Sequence, residues 1–184
     1  LASDLIVRRI DELGRVVVPK EIRRTLRIRE GDPLEIFTDR NGEIILKKYS
    51  PMGELGAFAK EYVEALNKSL GHIAMICDRD SVIATAGVQK KEYLDHAVSR
   101  EMEQAMEQRK PILTDRRSGG KPMPITEQDN ASQTIAQIVV PVISEGEATG
   151  AVVLLSRQED CKFGETELKV TQTTAGFLGR QLEQ

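Results

Sequence analysis

Basic side chains crowd into the first thirty residues of a 184-residue chain whose formal net charge is −3. A planar arginine guanidinium can grip a phosphate or a guanine base through two hydrogen bonds at once. Each phosphate that a cation neutralises also releases condensed counterions, which supplies much of the affinity for DNA. The side chains that could do this are Arg8, Arg9, Arg15, Lys20, Arg23 and Arg24. The competing interpretation is that these cations form an ordinary solvated surface with no ligand, since protein surfaces are themselves ~25–35% charged.

Charge is distributed unevenly along the chain. Residues 1–50 contain eleven Lys and Arg against nine Asp and Glu, whereas residues 51–184 contain fifteen against twenty. Such asymmetry indicates two domains with different partners, one of them a polyanion. The segment SPMGELG that follows Tyr49 holds one proline and two glycines. We therefore expect an N-terminal domain over residues 1–50, a linker over 51–56 and a second domain over 57–184.

The first fifty residues follow a ββαββ pattern. LIVRRID and RVVVP read as strands, because β-branched residues favour a pleated surface. Pro19 ends the second strand and suits the first turn of a helix, KEIRRTLRI, on which Ile22 and Leu26 share an apolar face away from Arg23 and Arg24. PLEIFTD and EIILKKY flank RNG, which predicts a hairpin.

This N-terminal segment is poorly equipped to build a core alone. It contains one Phe, one Tyr and no Trp. Below ~60 residues the buried fraction of a domain is marginal without disulfides or metals. Two copies could share a core by pairing or exchanging hairpins, and a two-fold axis would then place the basic segments symmetrically.

The remaining residues predict an antiparallel sheet covered by helices. Their order is helix, two strands, helix, short strand, long polar loop, two long apolar strands and helix. The first and last of these helices are amphipathic and could lie side by side. The polar loop, residues 116–134, is too long for a simple connector and could cover a ligand.

Composition excludes several classes of protein. No run approaches the ~18 apolar residues of a membrane span, and the first residues lack the pattern of a secretory signal, so we expect a cytoplasmic, nucleoid-associated protein without membrane contact. Cys77 and Cys161 are far apart and outside any C-x-x-C arrangement. Neither a zinc site nor a disulfide framework is indicated, and we expect no metal and no cofactor.

The segment IVRRIDELGRVVVPKEIRRTLRIREGDPLEIFTDRNGEIILKKY closely resembles the N-terminal domain of the AbrB-type transition-state regulators, a swapped-hairpin family of DNA-binding proteins. The rest of the chain resembles a GAF domain, a fold that senses small molecules. Together the two resemblances imply an α+β protein. Its N-terminal swapped-hairpin β-barrel would be shared between two chains, and a GAF-like α/β sandwich with an antiparallel sheet would follow.

The resemblance also implies a function and a set of contacts. The DNA-contacting arginines of the family match Arg8, Arg15, Arg23 and Arg24, with Arg9 and Lys20 as accessories. A family member would bind double-stranded DNA and act as an activator and repressor of sporulation-type developmental genes, without enzymatic activity. We expect a homodimer through the N-terminal domain and a homotetramer through the GAF helices. Asn41 is the only amide side chain in residues 1–50, so readout of DNA shape is favoured over adenine-specific contacts.

Other functions remain open from the sequence. A small-molecule ligand of the GAF-like domain is possible, but no residue set identifies it, and a scaffold role is equally compatible. A thiol enzyme acting through Cys77 or Cys161 would need a resolving cysteine or a basic neighbourhood, and neither is evident. Some AbrB-like domains belong to antitoxins, but these usually carry a short disordered tail, whereas this chain continues with the pattern of a folded domain.

Overall fold

The structure is a computed structural model that describes residues 6–183. The chain divides into two compact units, Leu1–Tyr49 and Ser50–Gln184. The predicted start of the first strand, at Leu5, lies outside the described residues.

The N-terminal unit contains one helix and one hairpin: α1 (Lys20–Thr25), β1 (Leu34–Thr38) and β2 (Ile44–Lys48). β1 pairs with β2 in antiparallel register, from Leu34 opposite Lys48 to Thr38 opposite Ile44. The carboxylate of Asp39 accepts hydrogen bonds from the N–H groups of Asn41 and Glu43 and so closes the turn. The helix predicted after Pro19 is confirmed as α1, and the hairpin predicted at RNG is confirmed as β1 and β2.

The two strands predicted before α1 are not formed within the single chain. In the described part of the chain, residues 6–10 and 15–19 belong to no ladder. They are joined only at a turn, where the N–H of Asp11 donates to the carbonyl of Arg15 at 3.0 Å. β propensity expresses the preference of a residue for a pleated surface and does not specify the strand with which it pairs. Within the described residues, β1 and β2 pair only with each other.

Apolar side chains of this unit lie largely in solvent. Six of them are between 65% and 81% exposed: Val7, Ile10, Leu13, Val17, Ile36 and Ile44. Leu26, expected on the core face of α1 beside Ile22, is 56% exposed. Among residues 6–49 only Pro19 is buried. The expectation that this segment cannot complete a core alone agrees with this burial pattern.

The C-terminal unit is a five-stranded antiparallel sheet with helices on both faces. Its elements are α2 (Pro51–Glu54), α3 (Gly56–Leu70), β3 (Ile73–Asp78), β4 (Val82–Ala86), α4 (Lys90–Tyr93), α5 (Arg100–Glu107), β5 (Ile112–Asp115), β6 (Ala136–Ser144), β7 (Glu147–Ser156) and α6 (Glu165–Gln181). The strand order is β4-β3-β7-β6-β5. The predicted sheet is confirmed. The short α4 was not predicted, and α5, the second of the predicted helices, begins after its Ser99 cap.

Alternating strand residues build two separate cores. On β3, Ala74 and Ile76 pack with residues of α2, α3 and α6. Met75 and Cys77 point to the other face, where they join Met102 of α5 and Tyr93 of α4. Each sheet face is thus covered by its own helices.

Residues 51–56, expected as a linker, fold into the C-terminal unit instead. Ser50 accepts a hydrogen bond from the N–H of Gly53 at 3.1 Å and caps α2, whose first residue is Pro51. Met52 is fully buried in the core beneath α3 and α6. Ser50 also donates to Asp78 Oδ2 at 2.9 Å. A serine followed by proline is a favourable start for a helix, so this proline initiates structure rather than breaking it.

Helices α3 and α6 lie side by side, as predicted. The rings of Tyr62 and Phe177 are 5.4 Å apart between centroids. On α3 the buried side chains are Ala59, Val63 and Leu66, whereas Phe58 is 53% exposed.

Two glycines of α6 make a matched pair for testing how closely α6 packs against β6. A Cβ on Gly179 would lie 2.1 Å from the carbonyl oxygen of Ile143 on β6, whereas a Cβ on the exposed Gly176 would meet nothing within 4 Å. We expect Gly179→Ala to destabilise the protein by about 1–3 kcal/mol, because backbone rather than a flexible side chain must move. Gly176→Ala should stabilise it by up to about 1 kcal/mol through helix propensity. Urea unfolding of both variants checks this, and equal effects would contradict the close approach.

Candidate nucleic-acid interface

Arg8 and Arg9 lie just before the turn of the N-terminal unit. Both are exposed. Within the described residues, neither guanidinium has a hydrogen-bond or ion-pair partner in the chain. Their donors are therefore available to an external acceptor such as a phosphate oxygen.

Arg15, after the turn, is held by Asp11. Asp11 Oδ1 accepts hydrogen bonds from the N–H groups of Leu13 at 3.0 Å and Arg15 at 2.9 Å. Asp11 Oδ2 accepts from Arg15 Nε at 2.8 Å. Gly14 completes the turn with φ +76°, a conformation that glycine adopts without strain. The turn thus orients the Arg15 side chain while leaving it largely exposed.

Helix α1 presents the other three cations on one side. Lys20, Arg23 and Arg24 are spaced i, i+3 and i+4, which places them together on the helix surface. All three are exposed, and Ile22 on the opposite side is half-buried. In the described part of the chain these side chains also lack an ion-pair partner.

A Schellman-type arrangement ends α1 after Leu26. The N–H of Ile28 donates to the carbonyl of Arg23 at 2.8 Å and that of Arg27 to the carbonyl of Arg24 at 3.3 Å. Arg27 occupies the left-handed position with φ 52°, which is usually given to glycine. The last turn of α1, which carries Arg23 and Arg24, is therefore fixed by hydrogen bonds of its own backbone.

Two polar contacts that the sequence did not predict brace this surface. Lys48 Nζ donates to the carbonyl of Arg27 at 2.7 Å and lies 3.3 Å from Asp32 Oδ2. The same Asp32 oxygen accepts from the N–H of Arg29 at 2.8 Å. The loop after α1 is thereby tied to β2. No spacing signal predicts a contact across 21 residues.

The two thiols lie on opposite faces of the sheet. Cys77 packs with Met75 and Met102, whereas Cys161 packs against the core under α3 and α6. Burial, reinforced by the neighbouring charge of Asp78, raises the pKa of the buried Cys77 thiol. This arrangement gives neither a cysteine pair nor a reactive thiolate at Cys77.

Within residues 6–183, no cluster of three His, Cys, Asp or Glu side chains could hold a metal ion, and no helix is long and apolar enough to span a membrane.

A polar cavity of about 410 Å³ lies in the C-terminal unit. Part of its wall comes from residues 128–134, within the loop expected to cover a ligand. That loop is held at its ends. Arg116 donates to the carbonyls of Thr134 and Ala131 at 2.7 and 2.8 Å, and the Asp129 carboxylate accepts from the N–H groups of Ile125 and Ala131.

An AbrB-like N-terminal unit followed by a GAF-like sheet defines a class of transcription regulators. Residues 54–183 match the family described as stage V sporulation protein T C-terminal, transcription factor. Residues 7–54 match the family described as antidote-toxin recognition MazE, bacterial antitoxin. The chain belongs to the stage V sporulation protein T family.

Both parts of the chain are similar in sequence to proteins of Bacillus subtilis. It is 54% identical to stage V sporulation protein T of Bacillus subtilis over 179 residues, which cover 97% of each chain. Over 51 residues it is 65% identical to the transition state regulatory protein AbrB of the same organism, covering 28% of this chain and 52% of that protein. The resemblances stated from the sequence are confirmed.

Solved structures confirm the GAF-like fold. The GAF domain of an Acinetobacter phosphoenolpyruvate-protein phosphotransferase aligns with a TM-score of 0.57 at 13% identity, covering 74% of this chain and 84% of that one. A free methionine-R-sulfoxide reductase from Thermoplasma acidophilum aligns with a TM-score of 0.55 at 14% identity, covering 71% and 94%. At these identities the likeness concerns the fold alone.

The turn at Asp11 should respond to acid. The N–H of Arg15, followed by its side chain, holds the Asp11 pKa below its ordinary value of 3.8. A carboxyl whose pKa is lower folded than unfolded stabilises the fold above its unfolded pKa, and this contribution is lost as pH falls through the folded pKa. We expect the Leu13 and Arg15 amide resonances to shift in an NMR titration with a midpoint below 3.8. Asp11→Asn should abolish the transition, and a wild-type midpoint above that value would contradict the geometry.

Proposed function

We propose that the protein regulates transcription by binding double-stranded DNA through a basic surface formed by Arg8, Arg9, Arg15, Lys20, Arg23 and Arg24. The observation that supports this most strongly is the exposure of Arg23 and Arg24 on a short helix whose end is fixed. Unpaired guanidiniums on a braced backbone are preorganised for phosphate. The name of the Bacillus subtilis relative points to sporulation-type developmental genes as targets, and we propose that the protein activates some of them and represses others. Such a regulator would act on the nucleoid in the cytoplasm.

We infer that the N-terminal unit binds DNA as a homodimer. Its exposed apolar residues, such as Val17 and Ile36, are the kind of surface that a second copy covers. Exchange of hairpins would give residues 6–10 and 15–19 the ladder partners that they lack within one chain. A two-fold axis would then repeat the basic surface along the DNA.

DNA shape rather than a fixed base string is the proposed basis of recognition. The N-terminal unit contains no Gln and a single Asn, and Asn41 is engaged with Asp39 in the hairpin turn. The side chains that most often read adenine are therefore missing from the basic surface. Phosphate positions, some guanines and groove geometry remain for arginine to read.

The C-terminal unit has two proposed roles, oligomerisation and small-molecule sensing, and no proposed enzymatic activity. The separation of the two thiols and the burial of Cys77 argue against thiol chemistry. An antitoxin-like role is the alternative, favoured by the MazE match over residues 7–54. The folded C-terminal unit argues against it, because toxin-neutralising tails of that kind are usually short and disordered.

Replacing both helix arginines tests the DNA site. We expect Arg23→Ala combined with Arg24→Ala to weaken binding to promoter DNA by roughly tenfold or more and to reduce the dependence of affinity on salt. The slope of log K against log salt should fall in magnitude by about 0.9 for each phosphate that the protein no longer neutralises. Fluorescence anisotropy across a salt series measures both quantities.

Arg40→Ala is the matched control for this experiment. Arg40 is an exposed arginine of the same unit, in the hairpin turn and outside the basic surface. Its removal should leave the salt slope unchanged. Because the control removes one charge and the double variant two, a loss of binding free energy in the control about half that of the double variant would show that net charge alone matters. An unchanged double variant would overturn the assignment.

A second association is proposed along α3 and α6. Phe58 and Phe177 are exposed by 53% and 40% on this pair of helices. We expect Phe58→Lys combined with Phe177→Lys to convert a tetramer into a dimer in sedimentation velocity, because charge would replace apolar contact area. Leu113→Lys, at a similarly exposed apolar residue on β5, should leave the tetramer intact. A wild-type protein that sediments as a dimer would contradict the proposal.

A further inference from the structure

The turn over residues 11–15 uses the two oxygens of one carboxylate for different purposes. Asp11 Oδ1 accepts from the N–H groups of Leu13 and Arg15 and so closes the backbone turn. Two backbone hydrogen bonds reinforce it, from the N–H of Gly14 to the carbonyl of Asp11 and from the N–H of Asp11 to the carbonyl of Arg15. Asp11 Oδ2 accepts instead from the Arg15 side chain, at Nε. The turn is closed without this last contact, so what the contact adds is the orientation of the guanidinium.

Stability does not account for the contact between the two side chains. Asp11 and Arg15 are 42% and 70% exposed, and ion pairs between exposed side chains contribute little to the stability of a fold. The contact does restrict a long side chain that would otherwise rotate freely. Because Nε is occupied, the end of the guanidinium that carries Nη1 and Nη2 stays open, and neither atom has a partner in the described part of the chain.

The same contact makes Arg15 electrically different from the other cations of the basic surface. The Asp11 carboxylate is ionised at neutral pH, since the N–H of Arg15 and then its side chain hold the Asp11 pKa below 3.8. The pair therefore has no net charge. Within the described residues, no acidic side chain pairs with the other five cations, which are Arg8, Arg9, Lys20, Arg23 and Arg24. Affinity for phosphate depends on the charge that is neutralised, so Arg15 gains the least from a phosphate.

A neutral acceptor suits such an arginine better than a phosphate does. In the major groove, guanine presents O6 and N7, which together accept two hydrogen bonds from one guanidinium. The base carries no net charge that the Asp11 carboxylate would repel. A bidentate contact also depends on the plane of the guanidinium, which the hydrogen bond at Nε fixes, and a lysine cannot reproduce it.

We propose that Arg15, oriented by Asp11, reads a guanine base in the major groove through Nη1 and Nη2, while the five cations without an acidic partner neutralise phosphates. Arg15 is then the specificity-determining residue and Asp11 is its positioning residue. This assignment rests on the proposed DNA binding and deepens it. In the proposed dimer the two copies of Arg15 would read two guanines at a fixed spacing, within a site that is otherwise recognised by its shape.

Removal of a single acceptor atom from the DNA tests the contact. The duplex is one that the full-length wild-type protein selects from a random pool, and its guanines are replaced one at a time by 7-deazaguanine, which lacks N7 but still pairs with cytosine. Fluorescence anisotropy measures the ratio of the affinities for the natural and the modified duplex. We expect replacement of one guanine, or of two symmetric ones, to weaken binding of the wild-type protein by at least about fivefold.

Two variants that conserve charge assign this loss to one arginine. Arg15→Lys should weaken binding to the natural duplex and abolish the difference between the two duplexes, because an ammonium group cannot make the bidentate contact. Arg24→Lys is the matched control on α1. It should change the affinity for both duplexes by one common factor and so keep the wild-type ratio, because a phosphate contact does not involve N7.

Asp11→Asn tests the positioning role. The amide keeps Oδ1 as an acceptor for the turn but puts an NH2 group, which cannot accept from Arg15 Nε, in place of Oδ2. We expect binding to DNA of unrelated sequence to tighten, because a negative charge is lost, while the ratio between the natural and the 7-deazaguanine duplex falls at least about threefold. A merely structural role would weaken binding to all sequences alike and leave the ratio unchanged.

The possible failures are distinguishable. A wild-type affinity that no 7-deazaguanine changes, or a wild-type ratio that persists in Arg15→Lys, would overturn the guanine contact and leave DNA binding by the basic surface intact. A wild-type ratio that persists in Asp11→Asn would overturn the positioning role. A wild-type protein that binds no DNA would overturn the proposed function and this assignment together.

Discussion

Alternation of side chains along β3, β6 and β7 is the constraint on which the C-terminal unit depends. The nine paired positions from Ala136 opposite Ser156 to Ser144 opposite Glu147 fix which residues face each side. One face receives α3 and α6 and the other receives α5, so a single register decides both cores. It also puts the two thiols on opposite faces of the sheet. The close approach of Gly179 to Ile143 follows from the same register.

The N-terminal unit is organised on the opposite principle, with short polar contacts in place of a core. Asp11 closes one turn, Asp39 closes another, and Asp32 with Lys48 braces the loop between them. Carboxylates that accept several backbone N–H groups hold a chain without burying apolar area. Of the six cations of the proposed basic surface, Arg15 alone has a side chain that takes part in these contacts within the described residues. Acidic residues within a basic segment therefore serve as its framework.

Local patterns allowed most elements to be predicted, whereas contacts between distant residues could not be. The RNG turn and the valine-rich and isoleucine-rich strands of the sheet carry their signals within a few residues, and these elements are present. The two strands predicted before α1 are not formed within the single chain, because the sequence of a strand does not specify which strand it pairs with. Residues 51–56 were misread since proline and glycine can start a helix as well as separate domains. Of the candidate site, the exposure of the arginines was predictable and the Lys48 brace was not.

The solvent-exposed apolar residues of the N-terminal unit have a thermodynamic consequence. A unit in which Pro19 alone is buried among residues 6–49 has little free energy of its own to resist unfolding, so the proposed dimer would supply most of its stability. Mass action then links folding to abundance, because the populated state of such a unit depends on protomer concentration. The assembled fraction of this unit would then rise gradually with the amount of protein, which turns expression level itself into an input.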